Sequence, residues 1–271
     1  MLKTRLKTAA VLIVIVIALL CVSHIPYVMN AFIALLSAIA VYELYKATDN
    51  LKKYVPFVIS LLIAVVFPFI AIPYYVPFIT VLLVVTITVF LLMMKYYGKY
   101  DLNATYKAFL LSLLPPIFYS SFISLRLLEN GIYFILLFAI VCAVTDSGAY
   151  FVGRAMGKKK LAPLVSPKKT IEGSIGGSLS AFIIMLLLGL VVDLTTNLSV
   201  NYIALGVYAL IASVIDQIGD LSMSVIKRTV GIKDYSNLMP GHGGVLDRFD
   251  SYMFVAPFTL IFYTFINHII Y

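Results

Sequence analysis

Apolar residues in this chain come in runs about twenty residues long, separated by short polar or proline-bearing breaks, and that spacing leaves few folds open. A hydrocarbon core about 30 Å thick is crossed by roughly 20 apolar residues in a helix, and every backbone polar group inside it must be bonded within the protein. Cutting at the breaks gives predicted spans at 8–23, 28–47, 54–71, 74–97, 104–125, 130–152, 173–193, 202–226 and 250–270. The expected fold is all-α: a polytopic membrane protein of about nine transmembrane helices, taken as one integral membrane domain over 1–271. Residues 1–130 read as plain apolar helices, and 131–271 as helices with chemically loaded loops. With 62% hydrophobic and 12% charged residues among 271, the chain lies far from the roughly 25% charged of soluble domains. Any chemistry must therefore sit in loops or between helices. Pro68, Pro115 and Pro116 mark places where a helix is expected to kink or break.

Charge sets the orientation. Of 20 Lys and Arg residues, this partition puts all but Arg126 on one side, which the positive-inside tendency identifies as the cytoplasm. The amino terminus is then inside and the carboxyl terminus outside, in a multi-pass protein of the cell inner membrane whose functional face meets the cytoplasm. The basic start at Lys3, Arg5 and Lys7 resembles a signal peptide, but no small-x-small site precedes Pro26, so it reads as a retained first span. The net charge of +8 serves insertion and attracts anionic membrane lipids; no nucleic-acid partner is expected. Cys21 and Cys142 lie far apart in apolar runs, which excludes a disulfide framework or a cysteine zinc site. Apolar helix faces permit a homodimer.

The acids of the second half carry the functional signal. Under this topology Asp146, Asp220, Asp247 and Asp250 come to a similar level near the cytoplasmic side, from three different spans. An acid within a span costs about 2.5 to 3.5 kcal/mol on insertion scales, so it faces a partner, a cavity or an ion. Asp216 and Asp220 are four residues apart and share a helical face, which Ser224 and Arg228 continue. Hard oxygen ligands beside many cations suit a Mg2+ ion that takes substrate phosphate oxygens as its remaining ligands. Asp247 and Asp250 have a second reading, as acids that favour the start of a helix, and Asp216 has one as a packing residue. Glu43, Asp49 and Asp193 read as boundary residues.

Two loops are suited to phosphate. Pro240-Gly241-His242-Gly243-Gly244 directly precedes the last span, where closely spaced glycines let backbone N–H groups approach an anion and a helix start favours phosphate. A tight turn explains the same glycines, and His242 either bonds phosphate or braces the loop. Lys227, Arg228, Lys233 and Arg248 flank it, and the earlier loop brings Lys168 and Lys169. No Walker phosphate loop or serine elbow is present, and His24, His242 and His268 cannot serve a serine triad or a zinc site. Metal-assisted transfer between phosphates remains, with an ion-coupled transporter as the alternative, although transporter sites lie nearer the midplane.

The segment SVIKRTVGIKDYSNLMPGHGGVLDRFD, residues 224–250, closely resembles the signature of the phosphatidate cytidylyltransferase (CDP-diacylglycerol synthase) family. The matching positions are Ser224, Lys227, Arg228, Lys233, Asp234, Ser236, Pro240, His242, Gly243, Gly244, Asp247, Arg248 and Asp250. DSGAYFVGRAMGKKKLAPLVSPKKTIEG, residues 146–173, resembles the family's other loop, and Gly219-Asp220-Leu221 the approach to the signature. Met239 and Ile171 depart from the usual residues, apolar for apolar. The likeness covers roughly 140–252.

The resemblance implies condensation of CTP with phosphatidic acid to CDP-diacylglycerol and pyrophosphate, with Mg2+ as cofactor and room for a second cation. Carried over, Asp220, Asp247, Asp250, Lys227 and Arg228 are the expected catalytic residues. Asp220, Asp247, Asp250 and Asp146 are the expected metal ligands. Lys168, Lys169, Ser224, Lys233, His242, Gly243, Gly244 and Arg248 are expected to bind substrate.

Overall fold

A computed structural model describes residues 2–25, 27–51, 54–70, 79, 83, 87, 104–266 and 269, with the backbone alone for 2–9, 12, 13, 54, 55 and 104–110. The expected span 74–97 falls outside these, apart from Ile79, Leu83 and Ile87. The helices are α1 (Leu2–Val22), α2 (Val28–Ala47), α3 (Tyr54–Val66), α4 (Ala104–Arg126), α5 (Gly131–Met156), α6 (Ile171–Thr195), α7 (Tyr202–Thr229) and α8 (Leu246–Phe265). Four of them, α2, α5, α6 and α7, are long and apolar enough to cross a membrane, which marks the chain as a membrane protein.

Local chemistry explains where these helices begin and bend. The Thr170 side chain accepts from Gly173 N at 3.1 Å and caps α6, and Asn201 does the same for α7 through Ala204 N at 3.1 Å; each satisfies one of the donors that a helix start leaves over. Pro115 and Pro116 do not break α4, which runs through both. The carbonyl of Pro116 takes the Ser120 hydroxyl at 2.6 Å. After α3 the chain tightens into a 3-10 turn at Phe67–Phe69, and Asn30 Nδ2 donates to Pro68 O at 2.6 Å.

The core joins α2, α4, α5, α6, α7 and α8 through buried residues such as Leu44, Phe118, Phe134, Met185, Tyr208 and Phe254. Phe118 meets Phe254 edge-on at 5.8 Å between ring centres, and Phe134 meets Tyr263 at 4.6 Å, distances at which aromatic pairs add to burial. Tyr208 and Thr259 hydroxyls pair at 2.8 Å inside this core. A small antiparallel ribbon, β1 (Lys160–Ala162) and β2 (Ser166–Thr170), joins α5 to α6 in place of the expected loop, with Lys160 opposite Thr170 and Ala162 opposite Ser166. Its base is tied by Glu172, which accepts from Lys158 N at 3.0 Å and Lys159 N at 3.2 Å.

Helices α5 and α6 lie against each other along a seam of small residues, the device by which membrane helices approach closely. A Cβ at Gly177 would stand 2.7 Å from Thr145 O, and one at Gly176 would stand 2.5 Å from Val152 Cβ. Backbone cannot yield to the first. Gly177→Ala is expected to cost about 1–3 kcal/mol, as overpacking does, seen as a lower Tm in detergent. Leu187→Ala, on the exposed face of α6, should shift Tm little.

Candidate active site

A cavity of about 650 Å³ opens where α5, the ribbon, the first turn of α6 and α7 meet, a size within the range of small-molecule sites. Its wall includes Asp146, Tyr150, Arg154, Lys168, Lys169, Ser174, Gln217, Asp220 and Arg248. Cations outnumber carboxylates there, so the cavity favours an anion while keeping oxygen donors for a metal. Lys169 pairs with Asp220. Burial works against the Lys169 ammonium, but the Asp220, Asp146 and Asp216 carboxylates outweigh it and hold its pKa above the ordinary lysine value.

Asp216 lies one turn below Asp220 on α7, fully buried, and neither of its carboxylate oxygens meets a hydrogen-bond donor at bonding geometry. The nearby Ser251 hydroxyl donates instead to the Asp216 main-chain carbonyl at 3.1 Å. Asp146, Asp216, Asp220 and Asp250 all lie within electrostatic range of other members of this group. Four carboxylates so grouped repel one another unless a cation is shared. Among the described residues no three metal-ligating side chains close into a ready-made cage. An open set of hard oxygen donors, with the Cys142 thiol and the Ser251 hydroxyl beside Asp216, is nevertheless compatible with a cation of the Mg2+ kind, which keeps waters and takes substrate oxygens.

A second cluster lies at the start of α8. Lys227 Nζ donates to Asp247 Oδ1 at 2.7 Å, with both side chains nearly buried. Asp247 Oδ2 accepts from Tyr235 N at 2.8 Å and Gly244 N at 2.9 Å. Lys227 also stands 5.3 Å from the Tyr235 ring centre, within cation–π range. Burial, with the Asp250, Asp247 and Glu43 carboxylates adding to it, pushes the Tyr235 phenol well above its usual pKa. It stays a donor, to Met223 O at 3.1 Å.

The expected site residues thus divide. Asp146, Asp220, Lys168, Lys169 and Arg248 share the cavity wall, whereas Lys227, Asp247 and Gly244 form the loop cluster. Arg228 turns to the main chain, donating to Val165 O at 3.2 Å and Ile232 O at 2.7 Å, and so braces the ribbon. Ser224 is buried on α7, Lys233 is exposed, and neither belongs to the cavity wall. His242 is half-buried with Nδ1 lacking a partner, and Gly243 sits at φ 86°, open to glycine at little cost.

Two participants escaped the sequence reading. Gln217 reaches Ser178 Oγ at 3.2 Å and Ser174 O at 3.3 Å, joining α7 to α6 beside the cavity; a polar residue next to Asp216 within an apolar helix was the available signal. Glu43, expected as a boundary residue, does stand near the end of α2, but with partners the sequence does not show. It is fully buried and accepts from Ser236 Oγ, Val245 N and Leu246 N.

With this geometry in place, residues 3–266 match the family described as cytidylyltransferase. The chain belongs to the cytidylyltransferase family. Proteins named phosphatidate cytidylyltransferase are similar to this chain: the one from Bacillus subtilis (strain 168) is 45% identical over 138 residues, 51% of this chain and 50% of its own length. Those from Staphylococcus aureus (strain COL) and Staphylococcus haemolyticus (strain JCSC1435) are 46% and 44% identical over 129 residues, 48% of each chain. The matched stretch spans about half the length of these relatives.

Removing one partner of a buried ion pair leaves the other charge uncompensated, at a cost of about 3–5 kcal/mol. Lys227→Met is therefore expected to lower Tm strongly. Adding Asp247→Asn should restore part of the loss. A double-mutant cycle on thermal unfolding checks both.

Proposed function

We propose that this protein transfers the cytidylyl group of CTP to phosphatidic acid, forming CDP-diacylglycerol and pyrophosphate for phospholipid synthesis. The observation that carries the reading is the cavity at the helix ends, where Asp146 and Asp220 stand among Lys168, Lys169, Arg154 and Arg248. A polyphosphate and a metal ion can share such a site, and names of similar proteins point the same way.

In the proposed reaction a phosphate oxygen of the lipid forms a bond to the α-phosphorus of CTP. The bond from that phosphorus to the bridging oxygen breaks, and pyrophosphate leaves with its electron pair. Positioning and neutralisation of charge carry most of such catalysis, and the lipid phosphate is already anionic near neutral pH, so no general base is required. Lys168, Lys169 and Arg248 neutralise phosphate in the cavity, and Lys227 and Arg228 hold the neighbouring loop and ribbon. Lys233, His242, Gly243 and Gly244 complete the loop on the substrate side, and Ser224 stands behind them on α7. Asp146, Asp220, Asp247 and Asp250 would hold Mg2+, with Asp216 beneath them for a second cation. The ion, when bound, supplies polarisation of phosphoryl oxygens and charge neutralisation.

The same reading takes the protein as spanning the cell inner membrane nine times, amino terminus and cavity on the cytoplasmic side, so that CTP arrives from the cytosol and the lipid from the inner leaflet. Ile183, Leu187, Leu190 and Val191 on α6 offer an exposed apolar face to lipid or to a second copy of the chain.

Purified protein in detergent should convert labelled CTP and phosphatidic acid to CDP-diacylglycerol only with Mg2+. Asp220→Asn and Asp247→Asn should each lower kcat by about 100-fold or more, the scale of losing one electrostatic stabiliser. Wild-type turnover and metal dependence in both variants would refute the residue assignment. Ion-coupled flux into proteoliposomes, with no lipid product, would favour a transporter instead.

A further inference from the structure

Glu43 stands near the end of α2, in the half of the chain that carries no phosphate-binding motif, yet it is fully buried and its partners all lie around the loop that precedes α8. Oε1 accepts from Ser236 Oγ at 2.5 Å and Val245 N at 3.0 Å, and Oε2 accepts from Leu246 N at 2.7 Å. Helix α8 has no side-chain cap of its own, because Val245 occupies the N-cap position. A carboxylate at the positive end of a helix is favoured by both the free N–H groups and the helix dipole. Glu43 supplies that cap from 202 residues away in sequence.

Its grip interleaves with that of Asp247. Asp247 Oδ2 holds Tyr235 N and Gly244 N, while Glu43 holds the residue that follows each of them, Ser236 and Val245. Between these anchors the loop closes on itself, with Met239 N donating to Gly243 O at 2.9 Å and His242 N to Met239 O at 2.8 Å. The approach depends on glycine, since a Cβ at Gly244 would stand 2.6 Å from Glu43 Oε1 and 2.8 Å from Oε2.

We propose that Glu43 is a positioning residue: it clamps both ends of the 236–246 loop and thereby sets where the first turn of α8 presents Asp247, Arg248 and Asp250 to substrate. This rests on the proposed cytidylyl transfer, but the clamp itself is read independently of turnover. It acts through these residues and touches neither substrate.

The test uses the full chain in detergent with Glu43→Gln, Glu43→Ala and Gly244→Ala. Misplacing a catalytic group by about 1 Å costs on the order of 100-fold in rate. Accordingly, kcat should fall by about tenfold or more in Glu43→Ala and less in Glu43→Gln, which keeps the shape and one acceptor. KM for phosphatidic acid should move less than kcat. Amide hydrogen exchange over 236–250 should quicken, while α5 and α6 stay protected. Gly244→Ala should reproduce this from the loop side, and Glu43→Gln/Gly244→Ala should be no worse than the worse single variant, because both disrupt one contact. Unaltered exchange over 236–250 in Glu43→Gln and Glu43→Ala would overturn the clamp. Faster exchange with unchanged kcat in a productive enzyme would overturn the positioning role. Absence of product from folded wild-type protein would refute the transfer reaction alone, leaving the exchange measurement to decide the clamp.

Discussion

Charge withdrawn from water at the edge of a bilayer must find a partner, and the buried Lys227–Asp247 pair meets that demand in a way the rest of the site depends on. Lys227 takes one oxygen of Asp247, and the other is left to gather Tyr235 N and Gly244 N. The end of α7 is thereby fastened to the beginning of α8, and the glycine loop between them has its closing points defined. Arg248, one residue further, then joins the cavity wall. Without the pair, the loop would keep the Glu43 contacts at Ser236, Val245 and Leu246 but lose those at Tyr235 and Gly244.

The cavity itself comes from close packing. Gly177 and Gly176 let α6 approach α5 until a Cβ would collide, and the ribbon that links them folds back so that Lys169 meets Asp220 and Lys168 joins the cavity wall. Lys169 has its charge secured by the carboxylates around it. An incoming polyphosphate would meet ammonium groups already held in place, and a metal would meet carboxylates already held by lysines. On the proposed reading, both species would exchange partners with the Lys169–Asp220 pair, so that neither of these two charges is left alone on loading.

The helices were legible because lipid selects for composition. The expected span 28–47 coincides with α2, and 202–226 falls short of α7 by its last, polar turn. Differences gather where a helix outruns its apolar stretch. Helix α8 starts at Leu246, not near 250, because Asp247 belongs to its first turn. The sequence predicts a loop where the ribbon forms at 160–170, since Pro167 and its neighbouring lysines hide any alternation and its closure depends on Glu172 gripping main-chain N–H groups. Asp146 and Asp220 were legible as acids too deep to be incidental, and both reach the cavity. Glu43 was not, because its donors are backbone groups and a hydroxyl about 200 residues away, and backbone has no signature in sequence.

That difference bears on how the two halves of the chain divide the work. Side chains of α2 and α4 that face the common core can be satisfied by hydrocarbon of similar bulk. Polar anchors differ, because each meets one main-chain group in one place. Tyr119 on α4 donates to Phe249 O at 3.0 Å, and Glu43 on α2 accepts from Val245 and Leu246, so both act on the first turn of α8. A half of the chain with no recognisable chemistry therefore still acts on Asp247, Arg248 and Asp250, through hydrogen bonds that apolar composition conceals. An acid or tyrosine in an apolar helix is better read by which backbone ends it can reach than by its distance from the membrane surface.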